Sequence, residues 1–344
     1  PYVTYDDNYI ESEWWALKEI WNKNLLYKGF KIVPYCPRCG TPLSSQEVAQ
    51  GYKTVKERSA VVRFKVVGED AYFLAWTTTP WTLPSNVALC VNPSDTYCKV
   101  KSVDGYVYYM AEALLDKVLG KLAEEDKPAY EVLETYKGTD LEGKSYVALY
   151  ECAAKEAEKQ HKKAHYVICD DYVTMSDGTG IVHIAPAFGE DDSRVGREYD
   201  LPFVQLVDGK GEMTKETPWA GMFCKKADPE VLKALRESGL LFSAPVFEHS
   251  YPHCWRCHNP IIFRATEQWF CSIAKFREDV YKAIDTVTWM PDWGHDRMHG
   301  MVRDRNDWCI SRQRTWGVPI PAFYCKKCGA YHITDATIKA VSDL

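Results

Sequence analysis

The sequence predicts an α+β protein that is mostly β, with a barrel-like β domain, peripheral helices and a zinc-ribbon neck. Three observations lead to this class. Apolar residues alternate with charged ones across residues 62–66, which is typical of a half-buried strand. Asp104-Gly105 separates two further strand patterns and predicts a two-residue hairpin turn. Cys-x-x-Cys pairs at 36–39 and 254–257 bracket the whole region, so we expect them to close it at one neck.

The composition is that of an ordinary globular protein. Of the 344 residues, 46% are hydrophobic and 26% are charged, and the length suggests two or three domains. No apolar run approaches the ~18 residues of a membrane span and no secretory signal opens the chain, so we expect a cytoplasmic protein without membrane contacts. The net charge of −6 requires any contact with nucleic acid to be local.

The first element is expected to be an amphipathic helix. Asp6, Asp7 or Asn8 can cap it, and apolar residues recur at helical spacing to about Lys28. Because the chain begins abruptly, without a turn or tail, we expect it to be part of a larger protein.

Four cysteines are expected to hold one zinc ion at the neck: Cys36, Cys39, Cys254 and Cys257. The glycine after the first pair lets backbone amides turn towards thiolate sulfur. Two redox-active pairs are the alternative, but no βαβ pattern surrounds either pair. His253 could also replace one thiolate ligand.

A third pair, Cys325 and Cys328, has no later cysteine to complete it. We interpret it as half of a second zinc site whose remaining ligands lie beyond Leu344.

The most unusual stretch is Trp-Thr-Thr-Thr-Pro-Trp-Thr-Leu-Pro-Ser-Asn at residues 76–86. A buried strand leads into it, and Pro80 and Pro84 remove backbone donors, so the chain must leave the sheet there. The result is a stiff ledge at a strand end, lined by the hydroxyls of Thr77, Thr78, Thr79 and Thr82. Such a ledge is either a polar rim without chemistry or one side of a functional site.

The remaining patterns predict secondary structure around this ledge. They indicate a buried strand at 87–91, helices at 111–122 and 151–165, and a helix that begins at Asp228-Pro229 and ends before Gly239.

A second stretch, residues 177–192, has the same organisation as the ledge. A glycine turn leads into a short strand that ends at His183, and acidic residues including Asp191 and Asp192 begin a helix over 193–199. Acidic residues at a helix start are often simple caps, and a single histidine on a strand is usually structural. Two strand ends that both deliver polar groups into loops nevertheless fit a pocket at a barrel mouth.

These motifs together resemble class I aminoacyl-tRNA synthetases of the isoleucyl, valyl and leucyl group, and within it the isoleucyl enzymes. The resemblance covers essentially the whole chain and rests on residues 76–86, 178–183, 189–192, 251–257 and 308–317. The run Arg-Gln-Arg-Thr-Trp at 312–316 favours the isoleucyl over the valyl enzymes.

The resemblance implies a division of the chain. Residues 55–247 would be the inserted editing domain, and 34–54 with 248–262 its zinc-ribbon neck. Residues 1–33 and 263–344 would be flanks of the α/β nucleotide-binding catalytic domain. The ATP signatures of the family do not occur here, so ATP would be bound only by the full-length enzyme, and no aminoacylation is expected from this part.

The implied reaction is hydrolysis of valine wrongly esterified to the 3′ end of isoleucine tRNA. The partners would be that tRNA end and the remainder of the synthetase, in a monomer with structural Zn²⁺. An inert module that binds the tRNA 3′ end is one alternative. A valyl-type editing domain that removes threonine from valine tRNA is another.

The resemblance also implies roles for the site residues. Asp192 would bind the α-ammonium group, with Asp191 as a competitor, and His183 with Thr79 and Thr82 would limit the side-chain pocket. Water and the ester carbonyl would be positioned by Thr77, Thr78 and Thr79. Further contacts to the substrate would come from Trp76, Trp81 and Asn86. An activated ester needs no covalent nucleophile, although a Ser-His-Asp triad built on His183 and Asp192 is an alternative.

Overall fold

The computed structural model describes residues 3–123, 128–303, 305, 307–312 and 317–343. Two compact units are present: Ile32–Ala265 forms one, and Pro1–Lys31 with Thr266–Leu344 forms the other. Most of the run that favours the isoleucyl enzymes, residues 313–316, lies outside the described residues. Within the described part, no helix has both the length and the apolar character that a membrane span requires.

The helices and strands follow one another in chain order. The α-helices are α1 (Asp7–Asn22), α2 (Ser45–Ala49), α3 (Leu115–Val118), α4 (Gly138–Leu141), α5 (Glu151–Lys159), α6 (Glu190–Glu198), α7 (Cys224–Glu237), α8 (Arg277–Asp285), α9 (Trp293–Arg303) and α10 (Asp335–Ser342). Short 3-10 helices occupy Pro80–Ser85, Glu112–Leu114, Gly120–Leu122 and Ala274–Phe276. The strands are β1 (Leu26–Cys36), β2 (Thr41–Pro42), β3 (Tyr52–Arg58), β4 (Ala60–Lys65), β5 (Tyr72–Thr77), β6 (Ala88–Val91), β7 (Thr96–Ser102), β8 (Val107–Ala111), β9 (Tyr130–Lys137), β10 (Tyr166–Cys169), β11 (Ile181–Ile184), β12 (Leu241–Ser243), β13 (Val246–Pro252), β14 (Ile262–Cys271), β15 (Trp308–Cys309), β16 (Phe323–Tyr324) and β17 (Tyr331–His332).

A branched, mixed sheet forms the centre of the unit Ile32–Ala265. Its main path is β10-β6-β11-β5-β8-β7-β9, and β4 joins it beside β5, with β12 on its outer edge. One edge of β5 pairs with β4 along its whole length. The other edge pairs with β8 near Tyr72 and with β11 at Trp76. Strand β5 therefore divides the sheet into two arms, and the α+β class with a mostly β central region is confirmed.

The local strand and turn predictions hold in this sheet. Val62 and Phe64 of β4 are fully buried, as the alternating pattern predicts. Strands β7 and β8 form the expected antiparallel hairpin. Gly105 in its turn has φ +88°, a left-handed conformation that glycine adopts without steric cost.

Apolar residues pack on the sheet near the end of β11. Ala88, Cys90 and Ile184 form a buried cluster with Ala153 of α5 and Val195 of α6. This packing fixes α6, whose first turn carries the acidic residues, over the strand that carries His183.

Several helix boundaries differ from the sequence predictions. Helix α6 covers Glu190–Glu198 rather than 193–199, and the helix expected over 111–122 is divided into α3 and two short 3-10 helices. Helix α1 is capped by Asp6, as proposed, but ends at Asn22 rather than near Lys28. Asn24 has φ +55° and the Leu25 amide bonds back to the Ile20 carbonyl, which closes the helix end.

Helix α5 ends at Lys159 rather than His165. The side chain of Gln160 exchanges two hydrogen bonds of 2.8 Å with the backbone of Phe203, and this distant contact takes the place of a further helical turn. Helix α7 begins at Cys224, so Pro229 lies inside it and Asp228 is not its N-cap.

The tryptophan-rich face of α1 packs within its own unit. The Trp14 indole donates a hydrogen bond to the Pro319 carbonyl at 2.9 Å. Trp21 meets Trp269 and Tyr331 edge to face, with ring centroids 6.4 and 5.6 Å apart. These contacts bury the apolar face that the sequence pattern predicts for this helix.

Candidate functional site

The threonine ledge forms where β5 ends. The Thr79 amide donates to the Thr77 hydroxyl at 3.1 Å, and Pro80 then begins the 3-10 helix Pro80–Ser85. Every residue of that short helix is buried. The prolines fix its backbone angles, so the ledge is rigid and turned away from the sheet, as predicted.

Hydrogen bonds connect the ledge to the second predicted stretch. The hydroxyl oxygens of Thr77 and Thr79 are 3.4 Å apart, and those of Thr79 and Thr82 are 3.1 Å apart. The Thr82 hydroxyl lies 2.9 Å from Nε2 of His183 on β11. The structure therefore brings His183 and three of the four threonines into one network.

The hydrogen bonds around His183 show which ring nitrogen carries the proton. The Thr82 hydroxyl donates to the Thr79 carbonyl at 2.8 Å, so its oxygen accepts the proton of His183 Nε2. The side-chain nitrogen of Asn86 lies 3.5 Å from Nδ1, which accepts. Burial lowers the pKa of His183 to about 4, so the ring is neutral at pH 7.

Asn86 acts as a brace for this network. Its side-chain nitrogen donates to the Ala88 carbonyl at 2.9 Å, and its oxygen accepts from the Tyr146 hydroxyl at 2.6 Å. Both ends of the amide are thus engaged with buried groups. These two bonds hold Asn86 at the end of the ledge, and its contact with the substrate stays a prediction.

Asp192 lies in the first turn of α6, and its carboxylate lies beside Ala185, the residue after β11. The Ala185 amide donates to its carboxylate, and the carboxylate rests against Gly189. A Cβ atom on Gly189 would lie 1.8 Å from Oδ2 of Asp192, so only glycine leaves room there. Burial, with a smaller contribution from the charge of Asp191, raises the pKa of Asp192 to about 7.

Asp191 has a different environment. Its side chain is 61% exposed and lies 3.8 Å from the Arg194 guanidinium. Because Asp191 is solvated and already faces a cation, a substrate ammonium group would stabilise its carboxylate less than that of Asp192. Among the hydrogen bonds of the described residues, none joins His183 to Asp192, so no Ser-His-Asp triad is assembled.

The remaining predicted residues occupy three different positions. Trp76 is half-buried and lines a cavity of about 290 Å³ together with Tyr172, Asp177, Thr179 and Val182. Trp81 is buried and meets Phe188, in the loop after β11, edge to face at 5.1 Å. The Thr78 side chain is half-exposed and makes no hydrogen bond within the described residues.

Asp228 is a site residue that the sequence did not reveal. The Trp81 amide donates to its carboxylate at 2.8 Å, so α7 fixes the start of the 3-10 helix in the ledge. Burial raises the pKa of Asp228 to about 7. The two residues are 147 positions apart, and no local pattern signals their contact.

Asp228→Asn is expected to weaken the pH dependence of stability. The folded state binds a proton at Asp228 up to about pH 7, whereas the unfolded chain releases it near pH 4, so this group lowers stability as pH rises between those values. The wild type should therefore lose up to about 2–3 kcal/mol of unfolding free energy between pH 5 and pH 8 through this group. The asparagine still accepts from Trp81 but does not titrate.

Urea unfolding at pH 5 and pH 8 measures the difference. Asp171→Asn, at an exposed position, is the matched control and should keep the wild-type pH slope. An unchanged slope in the Asp228→Asn variant would contradict the assignment.

The four neck cysteines converge on one point. Sγ of Cys36 lies 3.5 Å from Sγ of Cys257, Sγ of Cys39 lies 3.9 Å from Sγ of Cys254, and all four atoms lie within 4.8 Å of one another. A tetrahedral ion with bonds of about 2.3 Å to sulfur needs about 3.8 Å between sulfurs, so the group can hold a metal. Although burial opposes ionisation, N–H donors of Asn259 lower the pKa of Cys257 to about 6.

The third pair differs from the neck. Cys325 and Cys328 are exposed, in the turn between β16 and β17. No third histidine, cysteine or carboxylate of the described residues joins them in a ligand group. The half-site therefore stays a prediction.

Comparison with known proteins gives one family match over the whole chain. Residues 1–344 match the model of class I tRNA synthetases (I, L, M and V). The isoleucine–tRNA ligase of Clostridium acetobutylicum is 50% identical over 332 residues, which cover 96% of this chain and 31% of that protein. That of Pyrococcus abyssi is 46% identical and covers 93% of this chain and 30% of its own length. The chain thus spans about a third of the length of these relatives.

Solved structures give more distant matches. The cytosolic leucyl-tRNA synthetase editing domain of P. falciparum is 12% identical with a TM-score of 0.45, and covers 55% of this chain and 99% of its own. The corresponding domain of P. knowlesi is 16% identical with a TM-score of 0.43, and covers 58% of this chain and 99% of its own. At this distance the matches carry no information about function.

Proposed function

Because the chain belongs to the class I tRNA synthetases (I, L, M and V), we propose that it contains an editing domain, in residues 55–247, that hydrolyses Val-tRNA(Ile). Its resemblance to isoleucine–tRNA ligases supports this choice of substrate. Residues 1–33 and 263–344 would then be flanks of the catalytic domain. ATP binding and amino-acid activation would belong to the full-length, monomeric cytoplasmic enzyme.

One observation carries the proposal: the environment of the Asp192 carboxylate. It is held by the Ala185 amide at the end of β11, and its pKa is raised because its charge is poorly solvated. No lysine, arginine or histidine of the described residues forms an ion pair with it. A poorly solvated carboxylate of this kind gains most from a cation that arrives with the substrate, such as the α-ammonium group of an aminoacyl ester.

The neighbouring groups fit the remainder of that ester. The neutral His183 ring and Thr82 form a fixed wall that would admit valine and exclude one further methylene. Thr78, whose hydroxyl makes no hydrogen bond to another described residue, is the threonine that we expect to hold the attacking water. The cavity bounded by Trp76 and Tyr172 would take the terminal adenosine by stacking on aromatic rings.

The reaction then needs no covalent intermediate. Water attacks the ester carbonyl carbon, the bond from that carbon to the ribose oxygen breaks, and the ribose oxygen takes up a proton. Valine and uncharged tRNA are released. The threonine hydroxyls and nearby amides supply hydrogen bonds to the developing oxyanion.

We assign a structural Zn²⁺ ion to Cys36, Cys39, Cys254 and Cys257. The ion would cross-link the chain before β3 to the chain after β13, at the end of the ribbon where Pro252 pairs with Tyr52; the pairing extends from there to Val246 opposite Arg58. It takes no part in hydrolysis.

Release of valine from mischarged isoleucine tRNA tests the function. We expect Val-tRNA(Ile) to be deacylated at least about tenfold faster than Ile-tRNA(Ile). One methylene group in an apolar pocket changes the rate by about 10- to 200-fold, and isoleucyl enzymes are a known example of this range. Equal rates would exclude the size selection. Hydrolysis of Thr-tRNA(Val) alone would indicate a valyl-type domain, and binding without hydrolysis would indicate a tRNA-end binding module.

A further inference from the structure

A cluster of two histidines and an aspartate connects α8 to α9, in the unit formed by Pro1–Lys31 and Thr266–Leu344. His295 and His299 are four residues apart on α9 and therefore share one face of the helix. Asp285 is the last residue of α8. Its Oδ1 lies 2.9 Å from Nε2 of His295 and 2.8 Å from Nε2 of His299.

The three ligand atoms have nearly the spacing of a metal site. They lie within 4.8 Å of one another. Bonds of about 2.0–2.2 Å from a tetrahedral ion to nitrogen and oxygen need about 3.3 Å between ligand atoms. The aspartate oxygen therefore has to withdraw by only about 0.5 Å from each histidine to admit an ion, which a rotation of an exposed side chain provides.

Neighbouring groups already orient both imidazole rings. Nδ1 of His295 donates to the carboxylate of Asp296 at 3.0 Å, which directs Nε2 towards Asp285. The His299 ring stacks on Tyr281 with centroids 4.6 Å apart and an angle of 7° between the planes. In metal sites, the ring nitrogen of a histidine that does not bind the metal commonly donates a hydrogen bond to a carboxylate.

We propose that Asp285, His295 and His299 form a binding site for a divalent first-row transition ion of the Zn²⁺ type. Two imidazole nitrogens favour such ions over Mg²⁺ and Ca²⁺, which take oxygen ligands. The ligating side chains are 30–56% exposed, so water completes the coordination and the ion exchanges with solvent. When bound, the ion cross-links α8 and α9 across the loop between them.

A purely structural hydrogen-bond cluster is the competing explanation. In that case both histidines donate an Nε2 proton to one aspartate oxygen, and neither nitrogen has a lone pair for a metal. Metal binding displaces both protons and uses the same nitrogens as ligands. The two explanations therefore differ in Zn²⁺ stoichiometry and in the spectrum of a substituting ion.

Calorimetric titration of Zn²⁺ into the full chain, purified with its neck metal retained, distinguishes them. The wild type should bind one more equivalent than the His295→Gln/His299→Gln double variant. Each single variant, and Asp285→Asn, should bind that equivalent at least about tenfold more weakly, and Asp296→Asn about tenfold more weakly. Asp279→Asn, on α8 but paired with Lys282, is the matched control and should behave as wild type.

A second readout excludes the cysteines as the source of the signal. Co²⁺ at this site should give weak visible bands without the strong near-ultraviolet sulfur-to-metal absorption of thiolate ligands, and these bands should disappear in the double variant. Circular dichroism without added metal checks that the double variant is folded. Equal stoichiometry and affinity in the wild type and the folded double variant would overturn the proposal.

Discussion

Asp192→Asn is expected to lower kcat/KM for deacylation of Val-tRNA(Ile) by about 10²–10³-fold. The substitution keeps the size of the side chain and an acceptor for the Ala185 amide, but it removes the charge that we propose binds the substrate ammonium group. A cation left without its partner costs about 3–5 kcal/mol when fully buried, and we expect the lower part of that range, about 3–4 kcal/mol or 10²–10³-fold, because Asp192 is only half-buried. Single-turnover release of valine measures the loss, and thermal unfolding shows that the variant is folded.

Three further variants locate the effect. Glu198→Gln removes an exposed carboxylate from the same helix and should retain wild-type activity. Asp191→Asn should cost much less than Asp192→Asn, and the reverse order would transfer the role to Asp191. Gly189→Ala keeps the charge but displaces the Asp192 carboxylate, which its Cβ would approach to 1.8 Å, so activity should again be low.

Cys254→Ser should release the neck metal and destabilise the β3–β13 ribbon. Cys36 and Cys254 are fully buried, so loss of the ion leaves polar groups without water or a metal. Structural zinc contributes several kcal/mol to small zinc domains, and we expect at least about 3 kcal/mol here. Metal analysis should show one equivalent fewer, and hydrogen exchange should accelerate across residues 52–58 and 246–252.

Cys169→Ser is the control for this variant. Cys169 is half-buried outside the neck, and its thiol donates to the Gly138 carbonyl at 3.6 Å, a bond that serine can also donate. Metal content should then stay unchanged. Retention of the metal and of ribbon protection in Cys254→Ser would contradict the four-cysteine site.

The sequence allowed prediction of features whose cause is local. Asp104-Gly105 predicts its hairpin because a left-handed residue is needed at that point, and the prolines at 80 and 84 predict the exit from the sheet for a similarly local reason. The proximity of the ledge to His183 could be predicted because both stretches place polar residues at the end of a strand. The predicted role of Asp192 in binding the ammonium group came from the family resemblance and not from residue spacing.

Features that depend on distant contacts could not be predicted. Asp228-Pro229 has the composition of a helix start, but the carboxylate bonds to the Trp81 amide and the helix begins at Cys224. The brace between Tyr146 and Asn86 likewise joins residues 60 positions apart. In both cases the partner that determines the local structure lies on another element, which the surrounding sequence does not encode.

The β3–β13 ribbon holds Tyr52 and Pro252 side by side, so a segment of roughly 200 residues leaves and returns at one point. In an unfolded chain, joining the ends of such a segment costs about 5 kcal/mol of loop-closure entropy. Once the segment has folded and the ribbon has formed, the residues just before Tyr52 and just after Pro252 are held close together, as the two sides of a short turn are. We therefore expect the segment to fold first, and its folding to accelerate the association of the sequences that flank it.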